Sequence, residues 1–155
     1  MNLYSIALFV HIVGALLLFV LLTIEGVSLR AGIPAGQLNR VLGPISGLAI
    51  LVPGLYLVAA GTGWKGWVAV GFTSWVLIAV ASAVTGVSLM RGRVSRRTAA
   101  ISWMIRVGMA LGVVFDMTVK PDAWVAIVAV VVGAALGATA GVAARREVRP
   151  NQILV

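Results

Sequence analysis

The sequence predicts an all-α membrane protein, a bundle of five transmembrane helices, and three observations predict it. Apolar residues make up 61% of the 155 and charged residues only 10%, where a soluble domain carries about 45–50% and about 25%. Such a chain cannot cover a water-facing surface, so lipid is its solvent over most of its length. Its apolar residues fall into runs near the roughly 20 residues that cross a hydrocarbon core. Its charges gather between and after those runs.

The first run covers residues 3–24, interrupted only by His11 and closed by Glu25 and Arg30. Met1 to Ser5 hold no Lys or Arg, so this run is expected to be kept as a span, not cleaved as a signal peptide. Turn formers Gly32, Pro34, Gly36 and Asn39 follow. The second run is 41–60, with Pro44 in its first turn and Pro53 in its interior, where proline kinks a helix. Gly61 to Gly66 reads as an interfacial turn. The third run is 67–90, and four arginines lie between Arg91 and Arg97. The fourth, 99–119, contains Arg106 and Asp116 and is broken by Lys120-Pro121-Asp122. The fifth, 123–144, ends at Arg145-Arg146. The alternative is four spans, with 99–119 lying in the interface as an amphipathic helix.

Charge placement favours five. With the N-terminus outside, Arg30, Arg40, Arg91, Arg93, Arg96, Arg97, Arg145, Arg146 and Arg149 all fall inside, and Lys65 and Lys120 outside. That is the positive-inside pattern and points to a bacterial inner (cytoplasmic) membrane with a cytoplasmic C-terminus. Tyr4, Trp64, Trp67 and Trp124 lie near the outer ends, as interfacial anchors do. The net charge of +8 is therefore a topology signal and a set of contacts for anionic lipid heads. No nucleic-acid partner is expected, because no reading motif accompanies the charge. The chain has no cysteine, which excludes disulfides, thiolate metal sites and a cysteine nucleophile.

Small residues recur at four-residue spacing: Gly43 and Gly47 on the second span, Gly108 and Gly112 on the fourth, Gly133, Gly137 and Gly141 on the fifth. In lipid such faces let helices approach closely. They serve either packing within the chain or docking of another membrane subunit or a second copy.

Ionisable residues inside spans are costly, about 2.5–3.5 kcal/mol on insertion scales, and so face partners or function. Tyr4, His11, Leu18 and Glu25 are seven apart and share a stripe. Arg106, Val113 and Lys120 share another, with Asp116 nearby. Depth then suggests two cross-helix pairs, Glu25 with Arg106 and His11 with Asp116, and contact between the first and fourth helices. Glu25–Arg106 reads as a register-fixing ion pair or as part of an ion or proton pathway. His11, the single histidine, reads as a hydrogen-bonded core residue or as a ligand. As a ligand it suits haem b or copper, with Met117, Met109 or Met104 as the second donor.

Phe9-Val10-His11-Ile12-Val13-Gly14-Ala15, Arg106 to Gly112, and Phe115-Asp116-Met117-Thr118-Val119-Lys120-Pro121 resemble segments of a family of uncharacterised small bacterial membrane proteins. That resemblance implies a layout and no activity. The first-helix stretch is also similar to membrane copper-resistance proteins and to the haem-dependent protoporphyrinogen oxidase. The latter resemblance implies a haem-binding role for His11.

Three functions stay open at this point. One is a non-catalytic subunit or assembly factor of a membrane complex. Another is a haem- or copper-binding redox or metal-handling protein using His11. The third is a small transporter or channel using Glu25, Arg106 and Asp116.

Overall fold

The computed structural model describes residues 2–32 and 36–144, with the side chains of 36–38 left aside. Five α-helices follow one another: α1 (Leu3–Ala31), α2 (Gly36–Leu57), α3 (Gly66–Met90), α4 (Arg96–Val119) and α5 (Ala123–Ala143). A short π-helical turn, Val58–Thr62, extends α2. No strand occurs among the described residues. All five helices are long and apolar enough to cross a membrane. The Arg145–Arg149 cluster lies outside the described residues.

Boundaries follow local chemistry. Asn2 caps α1 by accepting from the Tyr4 N–H, and Gly32 stops it in the left-handed region at φ 73°. The helix therefore runs on past Glu25, where the apolar run had been expected to end. Glu25 is an intrahelical residue, roughly 9 Å from the helix end at 1.5 Å per residue. Likewise α2 starts at Gly36, five residues before its apolar run. Pro44 is consequently an interior proline and not a first-turn one. Ser95 caps α4 and Asp122 caps α5, each accepting a backbone N–H three residues on. Lys120 ends α4 in the left-handed conformation, φ 54°, just before Pro121.

Successive helices run antiparallel, and their contacts set the register. Tyr4 lies against Gly61 and His11 against Gly54 along α1–α2. Met117 lies against Gly71, and Ser102 bonds Thr85, along α3–α4. Along α4–α5 the glycines do the work. A Cβ on Gly112 would stand 2.7 Å from the Val130 Cα, one on Gly137 2.8 Å from the Met104 carbonyl carbon, and one on Gly141 3.3 Å from the Ile101 Cα. Gly108 and Gly133 face each other directly. The α5 triplet is thus spent inside the chain, on α4, and is not left free as a docking face. The same register runs α4 alongside α5 through most of its length, which a helix lying across the end of the bundle could not do.

On α2 the pair divides. A Cβ on Gly47 would stand 3.4 Å from the Trp75 ring, whereas one on Gly43 would meet nothing within 4 Å. Two apolar clusters fill the interior. Leu22, Ile78 and Ala110 join α1, α3 and α4, with Leu18, Phe19, Trp103, Val107 and Met109 around them. Trp67, Val68 and Ala126 join α3 and α5, with Met117 against them. One end of the bundle carries Lys65, Lys120 and Trp64; the other carries Arg30, Arg40, Arg91, Arg93, Arg96 and Arg97. These are called the lysine end and the arginine end below.

Candidate functional site: a polar junction on Arg106

Among the described residues Arg106 is the largest fully buried side chain, 1% exposed. It sits ten residues into α4, about 15 Å from the helix start at 1.5 Å per residue. Its Nη1 donates to Glu25 Oε2 at 2.9 Å and to Ser82 Oγ at 2.7 Å. Its Nη2 donates to Glu25 Oε1 at 2.5 Å, and its Nε to the Ser102 carbonyl at 3.3 Å. Four of the five N–H donors of a guanidinium are therefore engaged. The fork on Glu25 is bidentate, the strongest geometry open to this pair. Ser82 Oγ passes its own proton to the Ile78 carbonyl at 2.8 Å, so it can only accept from Arg106. α1, α3 and α4 meet at this one cation.

Trp103 extends the junction. Its Nε1 donates to the Leu22 carbonyl at 2.6 Å. Its ring presses on Gly26, where a Cβ would stand 2.7 Å from Cε2. The Arg30 guanidinium lies 5.9 Å above the same ring. Arg30, Gly26 and Leu22 are spaced four apart on α1 and so line the face that meets α4. The expected contact between the first and fourth helices is present, through Glu25 and through Trp103.

His11 lies elsewhere. Its Nδ1 contacts the Ile50 carbonyl at 2.8 Å. A carbonyl only accepts, so this nitrogen carries the proton. Beside it Pro53 lacks the N–H that would bond the Ala49 carbonyl, and Gly54 leaves room for the ring, at 3.1 Å from where a Cβ would be. Ser46, also on α2, donates to the Gly14 carbonyl at 3.1 Å. The His11–Asp116 pair is not formed. A seven-residue stripe drifts about 20° per heptad on a straight helix. Over the two heptads from His11 to Glu25 it turns from α2 toward α4.

Asp116 is 0% exposed, and neither carboxyl oxygen has a hydrogen-bond partner. It lies three residues from the end of α4. The α4–α5 register, with Gly112 on Val130, places it level with Ala126, which is also fully buried. Met117 turns to α3, its methyl against Gly71. His11 and Met117 thus occupy different seams, α1–α2 and α3–α4, and do not assemble as a ligand pair. Met109 packs on the Leu22–Ile78–Ala110 cluster, and Met104 faces Gly137 and Gly141 on α5. Among the described residues no three His, Asp or Glu side chains come together.

Comparison with protein-family models, curated proteins and solved structures gives no match.

The residues that sequence reasoning missed are Ser82, Ser102, Thr85 and Trp103. Ser102 stands one turn before Arg106 and Trp103 three residues before it. Helical spacing alone places both beside the arginine. Ser82 has no such mark, because its role depends on where α3 passes.

Proposed function

We propose that this protein is a non-catalytic subunit or assembly factor of a bacterial membrane complex. It would lie in the inner membrane with the arginine end in the cytoplasm, as its arginine asymmetry favours. One observation carries the reading: Arg106 is held by its own chain. Glu25, Ser82 and the Ser102 carbonyl take four of its donors, so the cation acts as a clamp across three helices. A transport site needs a charge that exchanges partners; a structural clamp needs one that does not. The test is extraction of the tagged protein from its native membrane in mild detergent, with mass measurement of the particle. Stoichiometric co-purifying subunits, retained through size exclusion, support the reading. A lone protomer with substrate flux in proteoliposomes, reduced by Arg106→Ala, overturns it.

A second reading, a haem- or copper-handling protein, draws on His11. Donation of Nδ1–H to a backbone carbonyl leaves Nε2 as the ligating atom, the arrangement common among metal-bound histidines. The ligand pair with Met117 is not assembled, so any such site rests on His11 with a donor from elsewhere. An absorption spectrum of the purified protein before and after dithionite tests it. A Soret band lost in His11→Ala supports this reading, and an unchanged cofactor content in that variant refutes it.

A further inference from the structure

Six arginines, Arg30, Arg40, Arg91, Arg93, Arg96 and Arg97, stand exposed at the arginine end. The chain holds four acidic residues in all. Of the three within the described residues, Glu25 is taken by Arg106. Asp116 and Asp122 lie at the lysine end, near the end of α4 and at the start of α5. Among the described residues, then, no carboxylate neutralises these six arginines. The C-terminal dipoles of α1, α3 and α5 offer about half a unit of negative charge each, offset by about half a unit of positive charge each from the N-termini of α2 and α4, against six full positive charges.

Three of these side chains are posed by the fold: Arg40 donates from Nη2 to the Met90 sulfur at 2.9 Å, and the other two stand at the end of α1. Arg30 lies over the Trp103 ring, which is itself fixed by its bond to the Leu22 carbonyl. Arg96 reaches across from α4 to Gly32, the residue that caps α1. Both guanidinium groups therefore border the α1–α4 seam. Val27, three residues before Arg30 on α1, is 60% exposed. Along α1 the seam thus passes from the Trp103 indole, held at Leu22 and Gly26, by the exposed Val27 to the Arg30 and Arg96 guanidinium groups.

We propose that this seam binds the headgroup of an anionic phospholipid, with its phosphodiester on Arg30 and Arg96 and an acyl chain along Val27. Guanidinium forks match phosphate oxygens in pairs, and the exposed Val27 beside them suits a ligand that is anionic at one end and hydrocarbon at the other. The bound lipid ties the ends of α1 and α4 together below the Glu25–Arg106 clamp. The inference rests on the chain lying in a bilayer and is independent of whether it is a subunit, a redox protein or a transporter.

The test is thermal unfolding of the delipidated, detergent-purified protein with phosphatidylglycerol, phosphatidylcholine or soluble glycerol phosphate added. The expected result is a rise in Tm with phosphatidylglycerol alone, lost in Arg30→Gln/Arg96→Gln and kept in Lys65→Gln/Lys120→Gln. An equal rise with phosphatidylcholine, or an unchanged rise in the Arg30/Arg96 variant, overturns the proposal. So does an equal rise with glycerol phosphate, which would make the site one for a soluble anion. A measurement on the unaltered chain guards against a variant that does not fold. Photoactivatable phosphatidylglycerol should label the segments around Val27 and Trp103 more than photoactivatable phosphatidylcholine does. Equal labelling by both lipids refutes the site.

Discussion

Replacing Glu25 with Ala strips the carboxylate from a cation that has nowhere else to turn. Arg106 is 1% exposed and would keep only Ser82 and the Ser102 carbonyl. Breaking a buried pair from one side costs about 3–5 kcal/mol, because the remaining charge is left uncompensated. At 1.4 kcal/mol per tenfold, that lowers the folded-to-unfolded ratio by between about two and four powers of ten. Arg106→Met should cost less through charge, since Glu25 is 22% exposed and water reaches it. The double variant Glu25→Leu/Arg106→Met should recover most of the loss, as apolar replacements of buried pairs do. Reversible unfolding in bicelles, followed by Trp fluorescence and arranged as a double-mutant cycle, measures all three. If Glu25→Ala unfolds within about 0.5 kcal/mol of the parent, in the range of surface substitutions, then the pair is not structural. If the double variant is as unstable as the sum of the singles, the two residues are not coupled, and the clamp reading fails.

Three further outcomes are expected in the same unfolding assay. Gly137→Leu should cost about 1–3 kcal/mol or more through overpacking, because its first carbon would meet the Met104 backbone at 2.8 Å; Gly43→Ala, with open space around it, should stay within about 0.5 kcal/mol of the parent. Trp103→Phe should lose about 0.5–1.5 kcal/mol with its bond to the Leu22 carbonyl, and the Leu22 region should gain amide hydrogen exchange. Asp116→Asn should be neutral or stabilising, since neither carboxyl oxygen has a partner to lose and the amide that replaces the carboxyl is uncharged; a loss above about 1 kcal/mol, the size of a broken hydrogen bond, refutes this.

Hydropathy, arginine placement and spacing were enough to number the helices, to find the Gly108, Gly112, Gly133, Gly137 and Gly141 faces, and to pair Glu25 with Arg106. Each of these depends on period or on charge cost, which are properties of a helix in lipid whatever its neighbours. Helix ends were less legible, because a chain can stay helical beyond its apolar run: α1 continues to Ala31 and α2 begins at Gly36. Partner choice was the part that tertiary structure decided. His11 and Glu25 stand on one heptad stripe, yet His11 bonds α2 and Glu25 bonds α4. The stripe's drift belongs to the helix itself, but which neighbour each of its residues meets depends on how the helices pass one another in space. Ser82 was invisible for the same reason: a serine in an apolar helix becomes an acceptor for Arg106 only once α3 crosses beside α4. The sequence by itself determined that buried charges would need partners inside the bundle; only the packing of the helices determined which charge was satisfied, at Arg106, and which was left alone, at Asp116.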